Sequence, residues 1–475
     1  MPQFRRIAVL ALLAIALVGA PILGQDITID AGVTPGGAFY TIAVPALWNG
    51  DLVFWNHGFS LTPETGPPDL GPLQELQLLE GYAVAASGYR QVGWAVFETN
   101  NDLEELYDVF VAGFGEPNQV ILFGASLGGI VSARAIEQAD IGNVVGALPI
   151  CGAMGGSRNW DAGLDLRLVY DAICQGVPGA HIPGAAKGLP LGSTLTPTDT
   201  VLAANVCFGH DLPADMRTAA QQARLDQFLA VMPIPESFIN TDLGFFATFA
   251  MAELVHNPEK LGGRIGFGNR NVDYGDPVIN ASIQRVVPRN AKRKLMRDNY
   301  TPTGDVGDVK IVSIHTDKDG LVIVENESLY ASVVPPGNLT VGIVQEAVPS
   351  HCGFTNAELV AAWETLRGWI AGDPQPSALT LQVMCVALES FGGPCRFNPF
   401  FQLPDPGGRI RPRNPGNKVR TQKVESAAAG GPVADPGAPD ATADEPAPES
   451  PGIVPEIEEL AEMELGVRKL DRRER

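Results

Sequence analysis

The chain has 475 residues, 45% of them hydrophobic and 18% charged, enough for a sizeable core and for more than one folding unit. Its 33 Lys and Arg against 54 Asp and Glu leave a net charge of −21, which argues against a nucleic-acid partner and favours a neutral or basic ligand. Six cysteines, an even number, fit an oxidising compartment if the chain is exported.

The first residues, MPQFRRIAVLALLAIALVGAPILGQ, set Arg5 and Arg6 before an apolar run from Ile7 to about Ala20. This plan predicts a secretory signal peptide over residues 1–24, cut near Gly24 or Gln25, with a membrane anchor as the competing reading. The expectation is a secreted or periplasmic protein with no membrane contact once the signal is removed. Over residues 26–152 strand-like and helical runs alternate. YTIAVP (40–45), DLVFWN (51–56), YAVAAS (82–87), QVILF (119–123) and NVVGALPI (143–150) read as strands. PLQELQLLEG and NDLEELYDVFVAGFG (101–115) read as helices, the latter with Leu103, Leu106, Val109, Phe110 and Phe114 as its apolar positions. Such alternation predicts an α/β fold, a mostly parallel sheet flanked by helices.

Residues 153–307 break the alternation. MRTAAQQARLDQFLAVM (216–232) and GFFATFAMAELV (244–255) are helical in pattern and their connections are rich in Gly and Pro, which predicts a large helical cap or lid inserted after the sixth strand. Over 308–402 the sheet pattern returns with VKIVSIH (309–315), LTVGIV (339–344) and a helix at NAELVAAWETLRGWIAG (356–372). That helix opens with Thr355 and Glu358 in capping-box register and carries Leu359, Trp363, Leu366 and Ile370 on one stripe. Residues 403–475 are Pro-, Gly- and Ala-rich and cannot bury enough apolar surface to offset chain entropy, so a disordered tail is expected. Its end, with acids first and bases last, suits a short terminal helix.

Gly124-Ala125-Ser126-Leu127-Gly128 fits G-x-S-x-G, a serine on a sharp turn between strand and helix, where side chains in place of Gly124 and Gly128 would collide with neighbouring backbone. A serine nucleophile needs a base, because its hydroxyl is hardly ionised at neutral pH. Of the six histidines, the order serine, acid, base selects His351, in the loop SHCGF ahead of the Thr355 helix. The polar turn after VKIVSIH supplies the acid, Asp319 as first choice and Asp317 in reserve, with His315 packing or orienting that turn. Two backbone N–H groups are expected to form an oxyanion hole, those of Leu127 and of Phe59, with Gly58 allowing the tight turn and His57 a structural neighbour. Phe245, Phe246 and Phe249 could line an acyl or aromatic pocket, or simply form the core of the lid. Sequence proximity favours the disulfides Cys174–Cys207 and Cys385–Cys395, which leaves Cys151–Cys352. No CxxC spacing suggests a metal site, and no cofactor is expected.

"FGASLGG", "WNHGFS", "IHTDKDGLV" and "SHCGFTNAE", in this order, resemble the α/β-hydrolase superfamily over about residues 40–372. The resemblance implies a serine hydrolase, most often of carboxylic esters, with Ser126, Asp319 and His351 as its triad and the cap where that family carries a lid. Secreted tannase and feruloyl esterase-like members pair a cysteine before the serine with one after the histidine. Here Cys352 matches the second, Ala125 replaces the first, and Cys151 stands as the alternative partner. The sequence therefore predicts an esterase of small-molecule or polymeric esters, with a serine peptidase of the same fold or a non-catalytic exported binding protein as alternatives.

Overall fold

The computed structural model describes residues 26–405. The signal peptide expected over 1–24, and all but the first three residues of the tail expected over 403–475, with its expected terminal helix, lie outside the described residues. Eight strands form one sheet in the order β1-β2-β4-β3-β5-β6-β7-β8. They are β1 (Ile27–Val33), β2 (Phe39–Pro45), β3 (Asp51–Asn56), β4 (Ala83–Ser87), β5 (Gln119–Ala125), β6 (Val144–Ile150), β7 (Lys310–Thr316) and β8 (Leu339–Val344). β2 runs antiparallel to β1 and β4, while every pair from β4 through β8 is parallel.

Alternation along the central strands divides the core. Leu52 and Phe54 of β3 and Val120 and Leu122 of β5 join one apolar cluster, while Val53, Trp55, Ile121 and Phe123 join the other. Both faces are therefore covered, as a parallel sheet requires. Helices α1 (Gln74–Leu79), α2 (Thr99–Phe114) and α3 (Leu127–Gln138) belong to the first half of the chain. Of the five apolar positions expected in α2, Leu103, Leu106 and Phe110 are fully buried, while Val109 and Phe114 are partly buried against the same cluster.

Between β6 and β7 the described residues contain only helices: α4 (Asn159–Cys174), α5 (Pro197–Phe208), α6 (Ala219–Val231), a π-helical stretch Asn240–Ala250 running into α7 (Met251–His256), α8 (Pro277–Ser282) and α9 (Asn290–Asp298). This insertion follows the sixth strand, the expected place, although only five of the preceding strands are legible in the pattern, β1 being the one it lacks. The run Glu236–His256 is long and apolar enough to cross a membrane by length and composition, but 61% of its apolar window is buried. Its interior polar residues Asn240, Thr241 and Asp242 mask the length of this run in the sequence.

After β7 come α10 (Glu325–Ala331), β8, α11 (Asn356–Ile370) and α12 (Ala378–Gly392). The capping box forms as expected, Thr355 accepting from the Glu358 N–H and Glu358 accepting from the Thr355 N–H. Three disulfide pairs, Cys151–Cys352, Cys174–Cys207 and Cys385–Cys395, have Cα–Cα distances of 5.3, 5.8 and 5.6 Å. The first joins the end of β6 to the loop before α11, and the second joins α4 to α5 within the cap.

Candidate active site

Ser126 sits between β5 and α3 at φ 55°, ψ −118°, a left-handed conformation that costs a non-glycine residue about 1–3 kcal/mol. The surrounding structure holds it there. The Ser126 N–H donates to the Ile150 carbonyl at 3.0 Å, and its own carbonyl accepts from Gly129 and Ala153 at 3.0 and 3.1 Å. The two flanking glycines are steric requirements. A Cβ on Gly124 would lie 2.1 Å from the Gly128 carbonyl oxygen, and one on Gly128 would lie 1.8 Å from the Asn56 carbonyl oxygen. The turn therefore wedges its helix against β3 and lifts one hydroxyl above the sheet.

Three side chains meet there in series. Ser126 Oγ lies 2.9 Å from His351 Nε2, and His351 Nδ1 lies 2.6 Å from Asp319 Oδ2. All three residues are at most 8% exposed. The other Asp319 oxygen, Oδ1, accepts the N–H groups of Leu321 and Val322 at 3.0 and 2.9 Å, which fixes the carboxylate plane. Burial pushes the Asp319 carboxyl up, but the His351 charge and hydrogen bonds from His315 and His351 outweigh it and hold the carboxyl below its ordinary value. An ionised acid with its second oxygen aimed at Nδ1 sets Nδ1–H as donor, leaving Nε2 free to accept from the serine.

An eight-stranded, mostly parallel sheet carries a strained serine turn after a central strand, with acid and then histidine on loops after later strands. The chain has the α/β-hydrolase fold. No family model matches it. The o-phthalyl amidase of Xanthobacter agilis is 31% identical over 123 residues, 25% of this chain and 26% of that protein. The chain thus spans about a quarter of the length of that curated relative. Among solved structures, an esterase from Aspergillus oryzae aligns at 13% identity over 73% of this chain and 80% of its own, with a TM-score of 0.40. Feruloyl esterase B from the same organism aligns at 12% over 73% and 82%, TM-score 0.37. Candida antarctica lipase A in its closed state aligns at 9% over 77% and 86%, TM-score 0.37. The strand order and the serine turn define the fold.

The Asp317 reserve is not brought into the site. Its Oδ1 accepts the Glu346 N–H at 2.8 Å, because the turn directs it toward the loop after β8 while Asp319, two residues on, reaches His351. His57 also stands apart from the triad: it stacks on Tyr89 with ring centroids 4.1 Å apart, its Nδ1 lies 2.8 Å from the Gly58 carbonyl oxygen, and burial lowers its pKa. Gly58 brings its loop against the serine, since a methyl there would lie 3.6 Å from Ser126 Cβ. Leu127 is the first residue of α3, and among the described residues neither its N–H nor that of Phe59 has an acceptor.

Ser126, Leu127 and Phe59 share the wall of one pocket. Trp94, Trp160, Leu166, Ile234, Phe246 and Leu321 make it largely apolar. Phe246 packs 4.9 Å from Phe59 and stacks on Trp160 at 5.6 Å, centroid to centroid. Of the three lid phenylalanines singled out from sequence, only Phe246 lines this pocket. Phe245 and Phe249 stack on each other at 6.3 Å instead. The π-helical winding over Asn240–Ala250 departs from 3.6 residues per turn, so an α-helical reading of the stripe misplaces its inward face. Trp94, Trp160 and Leu321 went unread, because they converge only when cap and sheet pack together.

Cys151, Cys352 and His351 bring three potential metal-ligand atoms within 4.8 Å, but the sulfurs are bonded to each other and the histidine nitrogens face Ser126 and Asp319. A disulfide offers no thiolate. A second, more polar hollow, with Ser60, Thr62, Glu64, Arg90 and Gln91 in its wall, shares Leu127 with the first.

Proposed function

We propose that this protein is an exported serine hydrolase of carboxylic esters that works through Ser126, His351 and Asp319. The observation that carries the reading is the unbroken hydrogen-bonded series from the serine hydroxyl to a buried carboxylate, opening into an apolar pocket. Ser126 Oγ attacks the ester carbonyl while His351 Nε2 takes its proton. Asp319 keeps the imidazole in the productive tautomer and stabilises the imidazolium that forms. The N–H groups of Leu127 and Phe59 receive the developing oxyanion, the first helped by the positive end of the α3 dipole. His351 then protonates the departing alcohol. Water repeats the sequence on the acyl-enzyme and releases the acid. Protonation of His351 removes the base, so activity falls on the acid side.

The aromatic wall suits an apolar or aromatic acyl group, and the polar hollow beside Leu127 suits a hydroxyl-bearing alcohol. The three disulfide pairs favour an oxidising compartment, in keeping with the signal-like start of the sequence. The test is hydrolysis of a panel of p-nitrophenyl esters of varied acyl length and aromatic character by the intact chain and by Ser126→Ala. The variant is expected to lose at least about a thousandfold in kcat/KM; retention of activity contradicts the reading. Amide hydrolysis by the same groups is the second reading, favoured by the 123-residue match to a protein called o-phthalyl amidase. The matching p-nitroanilides decide between them.

A further inference from the structure

Asp319 touches two histidines, and the proposed chemistry uses only one. The other, His315 on β7, is fully buried, as are the side chains of Asp319 and Glu327 around it. Its Nε2 lies 2.6 Å from the Val322 carbonyl oxygen and 3.6 Å from Asp319 Oδ2, and its Nδ1 lies 3.1 Å from Glu327 Oε1. A carbonyl oxygen and a carboxylate oxygen can only accept, so these contacts call for a proton on both ring nitrogens. Ser313 Oγ donates to that same Glu327 oxygen at 2.8 Å, so Oε1 serves as an acceptor on two sides.

Charge leads to the same state. Among the described residues no lysine or arginine pairs with Asp319 or Glu327, and two buried carboxylates without a cation are strongly unfavourable. Burial works against a charge on His315, but its hydrogen bonds to the Asp319 and Glu327 carboxylates and their negative charges outweigh it, and its pKa is pushed up to about 10. Position matters too. Asp319 Oδ1 gathers the Leu321 and Val322 N–H groups, while the Val322 carbonyl receives His315 Nε2–H. One ring thereby clamps the turn that aims Asp319 at His351.

We propose, on the strength of the triad reading above, that His315 is a positioning residue: a buried imidazolium, anchored by Glu327, that clamps the Asp319 turn and offsets one of the two carboxylate charges felt by His351. The groups that face this set are known. Asp319 faces His315 and His351, His315 faces Asp319 and Glu327, and Tyr330 of α10 feels the charges of Glu137 of α3 and of Glu327. From the β8 side come Asp317, which accepts the Glu346 N–H, and Glu346, which is engaged by Ser350. The adjoining end of β6 contributes Ile150 and the disulfide-bonded Cys151, and neither titrates.

The test compares kcat/KM against pH, with p-nitrophenyl butyrate, for the intact chain, His315→Gln and the double variant His315→Gln/Glu327→Gln. Removing the imidazolium leaves the Asp319 and Glu327 carboxylates without their shared counter-charge, which favours the protonated form of His351. The acid limb then moves to higher pH by on the order of one unit, about a tenfold loss of rate on that limb. Neutralising Glu327 as well returns the limb to its original position, a rescue that no purely structural role produces. An unmoved limb in the single variant, or a further displacement in the double, overturns the proposal. Nitrogen-15 spectra of the intact chain supply a measurement that needs no variant to fold. One imidazole is expected to keep both nitrogens protonated at pH 8, and six neutral rings at that pH overturn the proposal. A chain that neither hydrolyses the ester nor labels at Ser126 refutes the triad reading instead, while the spectrum still decides the state of His315.

Discussion

Asp319→Asn tests the acid through a substitution that barely changes shape. An asparagine can present either end to His351. With its oxygen on Leu321 and Val322, where Oδ1 now accepts at 3.0 and 2.9 Å, the amide NH₂ faces His351 Nδ1 and forces the proton onto Nε2. That nitrogen then has no lone pair for Ser126. With the amide flipped, the histidine keeps its tautomer but the NH₂ meets two backbone N–H groups. Leaving two buried donors unpaired costs roughly 1–3 kcal/mol each, so about 2–6 kcal/mol in total. At about 1.4 kcal/mol per decade this corresponds to a loss of roughly 30-fold to 10⁴-fold. The assay is kcat/KM on p-nitrophenyl butyrate at a pH above the acid limb, with a thermal melt run alongside to confirm folding. A folded Asp319→Asn within about threefold of the parent refutes the reasoning, since that is smaller than the least cost of either orientation.

Other consequences follow from the same geometry. Because the folded pKa of His315 is raised from 6.5 to about 10, its contribution to stability is fully present below 6.5 and is lost as pH rises through 10; Tm is expected to decline over that window and to decline less in His315→Gln. The Asp319 carboxyl is held below its ordinary value of 3.8, so its contribution is present above that value and is lost as pH falls through the lower folded pKa, which a urea titration in acid follows. Replacing both Cys151 and Cys352 by serine opens a link across 201 positions, worth up to about 5 kcal/mol in the loop-entropy limit, and frees the loop carrying His351; denaturant midpoint and kcat are both expected to fall. Phe246→Ala removes a ring stacked on Trp160 at 5.6 Å and is expected to raise KM for phenyl-bearing acyl esters about tenfold, with little change for acetyl esters. Equal KM changes for both classes contradict the assignment of the aromatic wall.

Local chemistry explains what could be read in advance. The serine turn was legible because its glycines are demanded by backbone contacts within a few residues of sequence, and α11 because Thr355, Glu358 and its apolar stripe agree. The distant partners His351 and Asp319 were reachable through their order along the chain. β1 was not read, since it is an edge strand whose Ile27, Ile29 and Val33 remain exposed and whose Asp30 and Gly32 break a β pattern. α12 was missed for the opposite reason: ALTLQVMCVALESFG is apolar nearly all round, so no period stands out. The pocket wall was read least well. Trp94 and Trp160 lie 66 positions apart and face each other edge to face at 5.8 Å only because the cap folds back onto the sheet. The sequence offers His315 as packing or orienting the Asp319 turn, and its contact with the Val322 carbonyl agrees with that, while its contact with Glu327 depends on a helix that sequence patterns leave unassigned.

The measurement that bears most directly on the account is covalent capture of the nucleophile. The intact chain is treated with a fluorophosphonate at neutral pH, digested, and the modified peptide sequenced by mass spectrometry, with His351→Ala treated in parallel. A single adduct on Ser126, formed orders of magnitude more slowly when the imidazole is gone, is the outcome the hydrogen-bonded series predicts. No adduct, an adduct on a different serine, or equal labelling rates in the two proteins would contradict it.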